Sequence, residues 1–191
     1  MDEDREDGIR KLLAQGDLAG AATEAIRWLG PAILRYLRAL LRDEADAADA
    51  FSQFAENLWK GLPGYRGGAS LRTWAFRLAR NAALNIRDEA WHRHGRRFAT
   101  GEASAVAEEV RTKTAVVVER QRQALDKLRA TLTVDDQSLL ILRIDQQLSW
   151  AEISEVLSDA GRSVDANALM KRFERLKERL ARLAKEQGLL E

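Results

Sequence analysis

The chain has 191 residues, 46% of them hydrophobic and 32% charged, enough apolar material for packed cores and too much charge for a membrane protein. Lys plus Arg number 31 and Asp plus Glu 30, so the net charge of +1 carries information only once it is divided along the sequence. Cysteine is absent, which excludes disulfides, thiolate zinc sites and cysteine nucleophiles and suits a reducing compartment.

The start, Met1 to Asp7, is acidic where a secretory signal is basic and then apolar, and no apolar run approaches the roughly 18 residues of a membrane span, so a cytoplasmic protein is expected. Only two prolines, Pro31 and Pro63, interrupt a chain rich in Ala, Leu, Arg and Glu, and the expected fold class is all-α. Ile9, Leu12 and Leu13, then the stretch Leu18 to Leu29, supply the first helical segments. Ile33, Leu34, Leu37, Leu40 and Leu41 mark one face of a helix that Pro31 opens as a first-turn proline. Asp43 to Trp59 reads as the next helix, ended by Gly61, Pro63 and Gly64. A Gly-rich loop runs to Gly68, and Ser70 caps a helix with apolar positions Leu71, Trp74, Ala75, Leu78, Ala82 and Ile86.

Residues 99–110 lack large apolar side chains other than valine and carry no helical stripe, so two small helical domains are expected, 1–98 and 119–191, joined by a linker at 99–118. In the second, one helix ends near Leu132, another spans about Asp135 to Ile144, and Ser149 opens a short helix that buries Ile153, Val156 and Leu157. A turn containing Gly161 precedes a long helix with Leu169, Phe173, Leu176, Leu180 and Leu183. A short helix, a turn and a basic helix is helix-turn-helix order, in which the start of the last helix meets base edges; Asn167, Lys171, Arg172 and Arg175 stand there.

The charge is segregated. Residues 1–7 sum to −4, whereas Ser70 to Arg97 holds seven arginines against Asp88 and Glu89. At about 100° per residue, Arg72, Thr73, Arg77, Arg80 and Arg87 project opposite Leu71, Leu78 and Ala82. A second cationic helix, Asp165 to Gln187, has seven bases against four acids. A basic face is most often only a solvated face, but arginine's planar fork suits phosphates and guanine edges, and two such helices suit two contacts with one polyanion. Tyr65, in the Gly-rich loop, is the candidate for stacking on an unpaired base, whereas Trp74 belongs to the core side. The acidic start reads as a solvated terminus, with an internal shield over the basic surfaces as the alternative.

No catalytic constellation stands out, and a non-enzyme without metal or other cofactor is expected. His92 and His94 lie among arginines without the HExxH spacing of a zinc site, and Gly64 to Gly68 falls short of a phosphate-binding loop.

The stretch Tyr65-Arg-Gly-Gly-Ala-Ser70-Leu-Arg-Thr-Trp74-Ala-Phe-Arg-Leu-Ala-Arg80-Asn81-Ala-Ala-Leu-Asn85 resembles the F-R-G-x-x-S-F-R-T-W-L-x-R-I-A-R-N-x-A-x-D pattern of extracytoplasmic-function sigma factors in the sigma-70 family. Gly16-Asp17, Asp46 to Asp49 before Leu58-Trp59, and Leu148 to Ile153 add to the similarity. The resemblance implies a promoter-recognition subunit of bacterial RNA polymerase, with core polymerase and promoter DNA as partners and an anti-sigma factor as a further one. It implies polymerase contacts at Asp46, Asp49, Gln53, Leu58 and Trp59. Contacts to the melted minus-ten element fall to Tyr65, Arg66, Ser70, Arg72, Thr73, Trp74, Arg77, Arg80, Asn81, Asn85 and Arg87. The helix-turn-helix would read the minus-thirty-five element, with Arg172 and Arg175 carried over by the resemblance. The family's D-x-V-Q-E stands here as Asp49-Ala-Phe-Ser52-Gln53, and phosphorylation of Ser52 would restore the missing negative charge. A free-standing helix-turn-helix regulator and a helical interaction protein without DNA function are the alternatives.

Overall fold

The computed structural model describes residues 2–41, 43–90, 132–158 and 163–186. The linker expected at 99–118, His92, His94 and the turn at Gly161 lie outside them. The chain divides into two compact units, Met1–Val117 and Val118–Glu191. All regular structure among the described residues is helical.

In the first unit α1 (Asp2–Ala14), α2 (Leu18–Leu41), α3 (Glu44–Gly61) and α4 (Leu71–Ala90) pack as α2 on α3, α3 on α4, α1 on α2 and α2 on α4. Each junction has a local cause. Gly16 adopts φ 80°, the left-handed conformation that ends a helix cheaply only in glycine. Asp17 follows as the cap of α2, accepting the Gly20 N–H at 2.9 Å. Asp43 caps α3 by accepting the Asp46 N–H at 2.9 Å, while Arg38 of α2 grips Glu44 beside it. A 3₁₀ turn at Leu62–Gly64 uses Pro63 where no amide hydrogen is needed, and Ser70 Oγ accepts the Thr73 N–H at 3.1 Å to start α4.

The core is Ile26, Ile33, Leu34 and Leu37 of α2 against Phe51, Phe54 and Leu58 of α3 and Leu71 and Phe76 of α4, all fully buried. Tyr36 and Phe76 meet edge to face at 5.6 Å. Ala75, Ala79, Ala82 and Ala83 let α4 sit close against its neighbours.

Pro31 does not open a helix, as its sequence context suggested. It sits inside the continuous α2. Proline in a helix interior loses one backbone hydrogen bond and costs about 3 kcal/mol. Buried residues on both sides, from Ala21 to Leu29 and from Ile33 to Leu40, outweigh that cost. Gly30 just before it has no Cβ to clash with the proline ring.

In the second unit Thr133 caps α5 (Val134–Leu140), whose end widens into a π-type turn over Ile141–Asp145, with the Gln146 N–H donating to Ile141 O at 3.0 Å. Gln147 then takes φ 54°. Ser149 and Glu152 form a reciprocal capping box at the start of α6 (Trp150–Leu157), with distances of 3.3 and 2.8 Å. Asp165 caps α7 (Ala166–Glu186) through the Ala168 N–H at 2.8 Å. Leu139, Leu142, Ile153, Val156, Leu169 and Leu176 form the small core. Trp150 packs edge-on against Phe173 at 5.4 Å, and the Arg143 guanidinium covers the Trp150 ring at 4.6 Å.

Candidate nucleic-acid interface

The loop after α3 and one face of α4 both carry exposed polar side chains on the first unit. Arg66 in the loop and Arg77, Asn81, Asn85 and Arg87 on α4 are exposed. Arg77, Asn81 and Asn85 recur every four residues, so they line a single stripe along the helix. Arginine forks and amide groups together supply donors for phosphates and both donors and acceptors for base edges.

Other residues expected on this surface are placed differently. Thr73 is 1% exposed, with its hydroxyl 2.8 Å from Ser70 Oγ, and Arg80 is 4% exposed with Nε fully enclosed. Both are corrections to the projected cationic face. That projection assumed one apolar stripe, whereas α2 and α3 both bury α4 and enclose more of its circumference. Ser70 is half-buried, and its side chain is occupied at the helix cap. Arg72 reaches back to Asp2, 3.4 Å away.

Tyr65 is half-buried. Its ring lies tilted on Trp74 with centroids 5.3 Å apart, and its hydroxyl is 2.6 Å from Ala69 O and 2.9 Å from Glu6 Oε1. Burial, and then the bond to Glu6, push its pKa up to about 12. Trp74 in turn lies close against Gly61, where an added Cβ would stand 3.0 Å from the indole ring.

Glu6 is the residue the sequence did not single out. It is one of five acids in the first seven residues, and nothing local distinguishes it from Glu3 or Asp7. Its Oε1 also accepts from Arg10 at 2.7 Å, and its Oε2 accepts the Leu71 N–H at 3.1 Å.

On α3, Asp49 is exposed, and Asp46, Gln53 and Trp59 are half-buried. Leu58 is fully buried, which corrects its expected place on a polymerase-facing surface: it lies on the stripe with Phe51 and Phe54 that faces the core. Ser52 is half-buried and donates its hydroxyl to Ala48 O at 3.0 Å.

On α7, Asn167, Lys171 and Arg175 are exposed. Arg172 is instead turned toward the first turn of α5, where Nε donates to Asp136 Oδ1 at 2.7 Å and the guanidinium lies 4.0 Å from Asp135. The carboxylates fit there because the start of α5 is the positive end of the helix dipole.

Comparison with known proteins agrees with the resemblance carried by the 65–85 stretch. Residues 26–97, from α2 through α4 and beyond, match the model of sigma-70 region 2. The chain is also 31% identical over 135 residues to RNA polymerase sigma factor YlaC of Bacillus subtilis strain 168, a match covering 65% of this chain and 72% of that protein. With a helical unit whose loop and exposed α4 face fall inside the matched region, the chain belongs to the sigma-70 family of RNA polymerase sigma factors.

Proposed function

We propose that this protein directs bacterial core RNA polymerase to specific promoters and assists their melting, using its first unit for the polymerase and the minus-ten element and its second for the minus-thirty-five element. The observation that carries the reading is the Arg77, Asn81 and Asn85 stripe, exposed on the helix that carries the family's motif, together with the exposed Arg66 of the preceding loop. A melted strand needs a cationic path for its backbone and polar groups for its unpaired bases, and this stripe supplies both.

Residues 1–98 act as the region-2-like domain and 119–191 as the helix-turn-helix domain, with 99–118 linking them. Asp49, flanked by Asp46, Gln53 and Trp59, is the polymerase-facing part of α3. Asn167, Lys171 and Arg175 face the minus-thirty-five duplex, while Arg172 braces α7 against α5. The reaction chemistry belongs to the polymerase, and this chain contributes binding and strand separation in the cytoplasm. Among the described residues no helix is long and apolar enough to cross a membrane. An anti-sigma factor would act by covering the same α3 and α4 surfaces. Phosphorylation of Ser52 would require its hydroxyl to leave Ala48 O, and the phosphate would sit one helical turn from Asp49 and Glu56.

Run-off transcription with purified core polymerase and a library of promoter fragments tests the reading. Specific initiation dependent on this chain is expected. Specific binding to duplex operators without polymerase, and no initiation with it, would instead identify a free-standing regulator.

A further inference from the structure

Helix α1 has little apolar surface with which to fix its own placement. Ile9 is its one fully buried side chain, and Leu12 and Leu13 are half-buried. Its first turns are acidic and otherwise exposed. Glu6 is the exception, with a side chain only 12% exposed.

The carboxylate of Glu6 ties together two points on the segment that carries the minus-ten motif. Oε1 faces the Tyr65 hydroxyl at 2.9 Å, at the start of the loop, and Oε2 accepts the N–H of Leu71 at 3.1 Å, at the start of α4. That N–H is one of the four a helix leaves without an internal partner. Ser70 Oγ satisfies the one at Thr73. Between the two tied points run Arg66, Gly67, Gly68, Ala69 and Ser70, with Gly67 at φ 75°. Such a glycine-rich segment has many accessible conformations of its own, so its shape depends on what holds its ends. Arg10, on the next turn of α1, donates to Glu6 at 2.7 Å and balances its charge. Tyr65 passes the constraint on to Trp74, on which its ring rests.

From this geometry we infer that Glu6 is a positioning residue for promoter melting: it sets the conformation of the 65–71 segment and thereby the placement of Arg66 relative to Arg77 and Asn81. The inference rests on the reading of that surface as the minus-ten interface. It differs from an acidic shield, because Glu6 is spent on an inward-facing hydroxyl and a backbone amide, while Arg66, Arg77 and Arg87 stay exposed. A positioning carboxylate must be at one place with both oxygens accepting. A shield needs only negative charge.

The test uses the full chain with core polymerase on a promoter that the wild type opens, with single-base substitutions in each element. Glu6→Gln keeps the size but turns one acceptor into a donor, Glu6→Ala removes both, and Glu3→Gln removes one charge from an exposed neighbour. Both Glu6 variants are expected to slow promoter opening by about tenfold and to flatten discrimination among minus-ten bases. Discrimination at the minus-thirty-five element and affinity for core polymerase should hold at wild-type values, and Glu3→Gln should behave as wild type. Should Glu6→Ala fail to fold, Glu6→Gln and Tyr65→Phe carry the test. Wild-type opening by the Glu6 variants overturns the inference, as does an equal loss of minus-thirty-five discrimination and core affinity. Tighter binding of a minus-ten single strand by both Glu6→Gln and Glu3→Gln would establish the shield in its place. Failure of the functional reading is seen separately, as a wild-type chain that opens no promoter with core polymerase.

Discussion

Neighbouring residues on α4 have opposite fates, and their substitutions should separate stability from binding. Arg80 is enclosed, so Arg80→Ala leaves a cavity and removes its buried polar interactions, lowering unfolding free energy by about 3 kcal/mol in denaturant titration. Arg77 is exposed, so Arg77→Ala should leave that midpoint unchanged. It should weaken binding of a minus-ten single strand by the polymerase complex and lower the slope of log affinity against log salt by about 0.7 for each phosphate that is no longer neutralised. Tyr65 adds a pH dependence. Its pKa is about 12 in the folded chain against 10.0 for a free phenol, so the folded state holds the proton more tightly. The stability this provides is complete below pH 10 and is lost as pH rises from 10 towards 12. Tyr65→Phe should therefore show a shallower alkaline decline of the thermal midpoint than wild type across that window. The 65–85 motif made these residues visible in the sequence, but it could not tell which of them face inward. Glu6 was invisible for a different reason: its partners are Tyr65 and Leu71, 59 and 65 positions away, and no local pattern encodes such a pairing.

At the scale of elements, helices were legible wherever apolar spacing and caps agreed, as at Asp43, Ser149 and the long α7. Pro31 misled because a local rule met a larger packing term. It also yields a prediction: Pro31→Ala restores an amide hydrogen to a continuous helix and should raise stability by about 1 kcal/mol, less than the full propensity difference because the backbone has already adjusted to the ring. The capping box of α6 predicts the opposite sign. Ser149→Ala should cost about 1 kcal/mol and be read as earlier melting of the second unit. The face of α4 was legible only in outline, since its small Ala positions are buried from two sides and the period alone does not report how many neighbours a helix has.

For the whole molecule, the sequence suggested two units from a composition change, and each compact unit has its own core. In the proposed reading, two modest DNA contacts in one chain act through effective concentration, so each is expected to be weak without the other. Replacing the minus-thirty-five element by unrelated sequence should lower promoter affinity of the complete polymerase complex by about a hundredfold while leaving the preferred minus-ten bases unchanged, as read by competition binding. The wide turn at Ile141–Asp145 bears on how such a chain can change length. Between its bonded ends, Ile141 O and Gln146 N, it holds one residue more than an ordinary helical turn. Ile144 within it is 55% exposed and contributes little to the core. Losing that one position would tighten the turn to α geometry and let Leu148 and the cap at Ser149 re-enter at the same point, making this a natural place for a single-residue gap between otherwise superimposable relatives.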